Sequence, residues 1–232
     1  MRDLQFGKEI KYFLDKYIEK SWYLRYNWPQ KGCIMHYLID LDNTLLTTFF
    51  FDKDNNVNFY WSQNFKSDFG QSPRILKDLF CEPFLTMLRT NDDLRPCIDI
   101  FLQKHNLEIT AEDFLEYWLS RDSQINPDVL DWIRTHHNSG NHFHIASNQP
   151  NVRMNYIWEH KPELHDFFEN IFISANIGTS KPDPVFFIKI QQKLNVPFSE
   201  ICLIDDEPKN IQSAKNLGMQ TIWFNTSDNL PK

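Results

Sequence analysis

Five short apolar runs, separated by helical stretches, restrict what this chain can fold into. Cys33 to Asp40 (CIMHYLID) is the first, a buried strand that ends in acid. Beyond Gly140 come Asn141 to Ser147, Asn170 to Ser174, Ile201 to Asp205 and Gln220 to Phe224, with helical stretches near 151–160, 184–194 and 208–217 between them. Strands spaced this far apart by helices cannot pair as hairpins. The alternation predicts an α/β fold, a Rossmann-like parallel sheet with helices on both faces.

The stretch between the first and second runs reads differently. Leu41 to Leu46 is a tight turn by its Asp-Asn-Thr content. Thr47–Phe51 and Val57–Trp61 flank Lys53-Asp54-Asn55-Asn56, a pattern for a β-hairpin with a polar loop. Helical signals then dominate, with helices expected near 73–90, 93–105, 111–119 and 127–138, and Pro83 and Pro96 placed to break or reset the first two. Thr110 and Asp113 make an acidic variant of the capping box, Asn126-Pro127 a capped first turn, and Gly140 a stop. The expected organisation is an N-terminal helical extension over 1–30, an α/β core from 31–61 and 125–232, and a helical insertion over 62–124. The extension carries Phe6, Ile10, Phe13, Tyr17 and Trp22 along one side, as a helix packed on the flank does.

Composition excludes several classes. With 24 Lys and Arg against 31 Asp and Glu, the formal charge is −7, and there is no basic stripe to hold a nucleic acid polymer. No apolar run reaches the roughly 20 residues that span a bilayer, so no membrane partner is expected. The cysteines at 33, 81, 97 and 202 show neither paired nor metal-finger spacing and read as reduced, buried thiols of a cytoplasmic protein. Sequence leaves the oligomeric state open.

In an open parallel sheet, ligands gather at the carboxyl ends of the strands. Four polar groups fall there: Asp40 with Asp42, Ser147 with Asn148, Lys181, and Asp205 with Asp206. Phosphoryl transfer explains this set. A phosphomonoester is dianionic, so a carboxylate nucleophile at Asp40 needs its charge offset. Mg²⁺ held by Asp40 and Asp206 would provide that. Lys181, Ser147 and Asn148 would hold phosphoryl oxygens. Asp42 would protonate the leaving alkoxide and later activate water.

In this order the motifs resemble those of the haloacid dehalogenase superfamily: Asp40, Asp42 and Thr44 in IDLDNTLL, Ser147 in HIASNQ, Lys181 in GTSKPDP, and Asp206 with Asn210 in LIDDEPKN. The resemblance runs through residues 33–224. It implies Mg²⁺ as cofactor, with the main-chain carbonyl of Asp42 completing the metal site and Asp205 as a lesser candidate ligand. It also implies that the hairpin is a flap and the insertion a C1-type cap over a small phosphorylated metabolite, of the sugar phosphate or nucleotide class. A phosphotransferase or mutase, or a phospholigand-binding scaffold, are the alternatives. Dehalogenation is disfavoured because Asp42 supplies an acid such a reaction does not need. A receiver domain orders its acids differently. His136, His137, His142 and His144 read as a helix end and a strand start rather than a metal site. Phe49, Phe50, Phe51, Tyr60, Trp61, Phe65 and Phe69 read as cap core, with a share of them open to a role in a substrate pocket.

Overall fold

The computed structural model describes residues 34–52, 57–122 and 124–230. The N-terminal extension and Cys33 lie outside them. Five parallel strands form one sheet in the order β7-β6-β1-β8-β9, namely β1 (His36–Ile39), β6 (His142–Ser147), β7 (Phe168–Ile173), β8 (Ile201–Asp205) and β9 (Gln220–Trp223). The expected Rossmann-like α/β sheet is present. β1 is the central strand because it is apolar on both faces: Tyr37 and Ile39 face one layer, Leu38 the other, and all three are buried. Such strands need helices on both sides. Val129, Trp132 and Ile133 of α5 (Pro127–His137) and Met154 and Ile157 of α6 (Asn151–His160) cover one face. Phe186, Phe187 and Ile190 of α8 (Pro184–Leu194), with Ile211 and Ala214 of α9 (Pro208–Asn216), cover the other. The single turn α7 (Ser174–Ile177) follows β7.

A second apolar cluster sits beyond the sheet edge. It gathers Trp61, Phe65, Leu76, Phe84, Phe101, Phe114 and Trp118, among others, and packs on Val152 and Tyr156 of α6. Its helices are α1 (Phe65–Phe69), α2 (Phe84–Met87), α3 (Arg95–Lys104) and α4 (Ala111–Leu119). The Thr110 hydroxyl accepts from Asp113 N at 3.1 Å, and Asn126 Oδ1 from Asp128 N at 3.2 Å, the caps anticipated from sequence. The helix expected over 73–90 is not continuous. A 3₁₀ turn covers Pro73–Asp78, and Pro83 precedes the four-residue α2. Proline lacks the amide proton a continuous helix would need there. α1 was not foreseen.

The hairpin forms from β3 (Phe49–Phe51) and β4 (Val57–Phe59). The two chains linking core and insertion also pair, as β2 (Leu46–Thr47) and β5 (Gln124–Ile125). Among the expected thiols, Cys97 and Cys202 are buried, but Cys81 is exposed, in the loop ahead of Pro83. Trp61 and Phe65 lie in the second core as expected, whereas Phe50 and Tyr60 are exposed and lean on each other with ring centroids 5.1 Å apart. No helix among the described residues is long and apolar enough to cross a membrane.

Candidate active site

Register places the chemistry. Ile39 lies level with Ile145 of β6 and Ile204 of β8, so the residues that follow each strand emerge side by side. Asp40 N donates to Ile204 O at 3.0 Å, carrying the sheet one residue further. The chain then turns sharply. Asn43 takes a left-handed φ of 53°, which asparagine tolerates better than most residues. Its Oδ1 accepts from Thr48 N and Phe49 N, both at 3.2 Å, and so ties the turn to the hairpin.

Asp40 is buried. Its Oδ1 accepts from Leu41 N at 2.8 Å and from Lys181 Nζ at 2.9 Å. Lys181, also buried, reaches Asp205 Oδ2 at 2.6 Å. Burial opposes the charge on Lys181, but Asp205 and Asp40 outweigh it and raise its pKa above the ordinary value. Burial pushes the Asp40 carboxyl up to about 6 even with Lys181 beside it, and Asp205 adds to the rise. Asp206 is pushed up to about 8 by burial and by the charges of Asp40 and Asp205.

The carboxylates of Asp40, Asp205 and Asp206 offer oxygens within 4.8 Å of one another. Three acids against one ammonium leave an excess of negative charge, and hard oxygen donors of this kind suit a divalent cation such as Mg²⁺. Asp205 is the most committed of the three. Its oxygens accept from Lys181 Nζ, from Glu207 N at 2.9 Å, and from Asn210 Nδ2 at 2.9 and 3.1 Å. Ser147, buried at the end of β6, takes a 3.3 Å bond from Gln149 Nε2. Asn148 was expected to reach phosphate. Its side-chain amide is held by the Lys181 main chain, donating to Lys181 O and accepting from Lys181 N, each at 2.9 Å.

Asp42 stands apart from this cluster, in a network that sequence reasoning missed. It accepts from Thr48 Oγ1 at 2.7 Å, Gln149 Nε2 at 2.6 Å, and Arg153 Nη1 and Nη2 at 3.1 and 2.7 Å. Arg153 also donates from Nε to the buried Asp122 at 2.6 Å, and from Nη1 to Gln149 Oε1 at 2.6 Å. Burial pushes the Asp42 carboxyl up, but the charge and hydrogen bonds of Arg153, with those of Thr48 and Gln149, hold it below the usual range. Asp122 lies just before β5, where the chain returns to the core, so Arg153 joins this linker to the first motif. The one available signal was position: Arg153 falls a helical turn after Gln149, on the segment that follows Ser147.

The histidines find local partners. His36 Nδ1 lies 3.1 Å from His144 Nε2, His144 Nδ1 lies 3.0 Å from Asn170 Nδ2, and His142 Nδ1 lies 2.6 Å from Glu169 Oε1.

Known proteins share stretches of this sequence, and others share its fold. Glyceraldehyde 3-phosphate phosphatase of Pyrococcus furiosus is 43% identical over 63 residues, 27% of this chain and 26% of that protein. The chain thus spans about a quarter of that relative's length. D-ribitol-5-phosphate phosphatase of Bacteroides thetaiotaomicron is 27% identical over 121 residues, 49% of this chain and 57% of that one. A haloacid dehalogenase family enzyme of Bacteroides thetaiotaomicron, solved with magnesium and inorganic phosphate, superimposes with a TM-score of 0.66 at 20% identity, over 81% of this chain and 92% of that one. The sequence model of the haloacid dehalogenase-like hydrolases matches residues 34–218, the span that carries every motif described above, and the chain belongs to that family.

Proposed function

We propose that this chain is a Mg²⁺-dependent phosphohydrolase that cleaves small phosphomonoesters through an aspartyl phosphate on Asp40. One observation carries the reading. Both hydrogen bonds to the Asp40 carboxylate from the described residues fall on Oδ1, which Leu41 N and Lys181 Nζ pin at 2.8 and 2.9 Å. Oδ2 is left for attack on phosphorus. Charge-assisted bonds of this length fix a nucleophile's orientation before substrate arrives.

In the first half-reaction Asp40 Oδ2 bonds to phosphorus, and the bond from phosphorus to the leaving oxygen breaks. Lys181 and the Ser147 hydroxyl hold the remaining phosphoryl oxygens. Asp205 keeps Lys181 in place, and Asn148 fixes the Lys181 loop. Asp42, ionised against Arg153, is in the form a base needs for the second half-reaction. It takes a proton from the water that attacks the aspartyl phosphate, phosphate departs, and Asp40 is restored. In the first half-reaction Asp42 carries a proton taken up from solvent and gives it to the leaving alkoxide, which leaves it ionised for the second. Mg²⁺, when bound, offsets charge between nucleophile and phosphoryl group, and Asp40, Asp206 and the Asp42 carbonyl would hold it.

The similar phosphatases act on glyceraldehyde 3-phosphate and D-ribitol 5-phosphate by name, which supports a small phosphorylated metabolite as substrate. The unpaired cysteines fit a cytoplasmic setting. The insertion, 62–124, would act as the cap over the core. The test is phosphate release from sugar phosphates, nucleotides and aryl phosphates with and without Mg²⁺, for the wild type and Asp40→Asn. Metal-dependent release that Asp40→Asn abolishes is expected. Folded protein with no metal-dependent release on any substrate overturns the reading.

A further inference from the structure

Above Asp42 lies a cavity of 240 Å³, open on one side and lined by the hairpin, the insertion and the strand ends. Its floor is polar and its walls are not. On the floor, every side chain named above is already engaged. Asp42 accepts from Thr48, Gln149 and Arg153. Gln149 donates at one end and accepts at the other. Asn148 is held by the Lys181 main chain at both ends. The charge of Arg153 is met by Asp42 and Asp122.

The walls come from Phe59 of the hairpin, from Trp61 just after it, and from Phe80, Phe84, Leu85 and Trp118 of the insertion. These rings brace one another. Phe80 stands 5.0 Å from Phe59, 5.1 Å from Phe84 and 5.5 Å from Trp118, centroid to centroid. A polyhydroxylated leaving group placed here would bury most of its hydroxyls against carbon, with few of the floor's donors and acceptors left to replace the water they lose. A flat ring would meet edges and faces at the separations aromatic pairs favour. Size points the same way. An apolar cavity of about 150 Å³ takes benzene, so this one has room for a single substituted ring.

Resting on the phosphohydrolase reading, we propose that this cavity selects phosphomonoesters whose alcohol carries a single aromatic ring close to the phosphoryl oxygen, in preference to open-chain or cyclic polyols. The cavity receives the ring while phosphorus meets Asp40.

Benzyl phosphate and ribitol 5-phosphate separate ring recognition from leaving-group chemistry, because both release an alkoxide. Cytidine 5'-monophosphate, with a ribose between ring and phosphate, is the third arm. The wild type with Mg²⁺ is expected to show a kcat/KM for benzyl phosphate about 10–100-fold above that for ribitol 5-phosphate, the range a change of surface in an apolar pocket gives. Leu85→Asn sets an amide on an exposed position of the wall, 43% accessible, where the fold tolerates it. It should narrow that ratio at least several-fold, mainly through KM for benzyl phosphate.

A second readout needs no turnover. Benzylphosphonate should change the fluorescence of Trp61 and Trp118 on titration, and ribitol 5-phosphate should not. Ribitol 5-phosphate turned over as well as benzyl phosphate, or better, overturns the ring preference and leaves the phosphohydrolase reading standing. A preference for cytidine 5'-monophosphate over benzyl phosphate overturns the requirement that the ring lie close to the phosphoryl oxygen. Equal or absent fluorescence changes for the two ligands overturn the cavity assignment, even in a protein that proves inactive. Absence of all metal-dependent turnover removes the phosphohydrolase reading itself.

Discussion

Replacing Arg153 with methionine tests whether the buried network around Asp42 holds the linker to the core. The substitution keeps much of the aliphatic stem and removes four hydrogen bonds, two to Asp42, one to Asp122 and one to Gln149. The two carboxylates are not equally affected. The Asp42 side chain keeps 32% of its surface exposed and can recover water, whereas the Asp122 side chain is only 4% exposed and is left charged without a partner. Asp122 Oδ1 has no hydrogen-bond partner among the described residues even with Arg153 present, so nothing on its other side takes up the charge. Removing one member of a buried pair costs about 3–5 kcal/mol. For a chain of this size that lowers the melting temperature by roughly 6–20 °C. Removing the orphaned charge as well, in Asp122→Asn/Arg153→Met, should recover most of the loss, because a buried pair contributes little net stability over a neutral replacement. Thermal unfolding of the wild type, both single variants and the double variant closes the cycle. A loss under about 1 kcal/mol for Arg153→Met, or a double variant no more stable than Arg153→Met, refutes the reasoning.

Asp42→Asn should slow single-turnover phosphorylation by about 10²–10⁴-fold for an alkyl phosphate, and far less for an aryl phosphate whose leaving group departs unaided; equal losses on both would remove Asp42 as the proton donor. Mg²⁺ should raise the melting temperature in a concentration-dependent way, as a ligand of the folded state does, and Asp206→Asn should flatten that response; a variant that still responds fully places the cation elsewhere. Burial and the neighbouring His36 lower the pKa of His144 to about 4, His142 adds to this and Glu169 opposes it, so between pH 6.5 and 4 the unfolded chain binds a proton that the buried ring does not. Stability should therefore fall as pH drops through that window, by at most about 1.4 kcal/mol per pH unit for this group, and His144→Gln should reduce the slope in a pH series of thermal melts; an unchanged slope assigns the acid sensitivity to other groups.

The positions of Asp40, Asp42, Ser147, Lys181 and Asp206 were legible in the sequence for a local reason. Each follows an apolar run or sits in a short loop with its own turn chemistry, and parallel strands that end together bring such positions to one edge whatever the loops between them do. The caps at Thr110 and Asn126 were legible on the same terms, since the residues that make them are two or three apart. What each site residue touches was decided elsewhere. Asp205 and Asp206 are neighbours in sequence, yet one is consumed by Lys181, Asn210 and the Glu207 amide, and the other is not. Asn148 has the composition of a phosphate ligand and holds a loop. Nothing local sets Arg153 apart from the solvated arginines that helices commonly carry. Only the packing of the linker that ends in Asp122, 31 residues away, against the turn at Asp42, 111 residues away, makes it the centre of a buried network. The linker strands Leu46–Thr47 and Gln124–Ile125 are two residues each, too short to show a period. Sequence alone thus determined which groups reach the sheet edge, because strand periodicity and turn chemistry are local. Tertiary structure decided which of those groups remain free to meet a substrate, because hydrogen-bond capacity and burial depend on residues far apart in the chain.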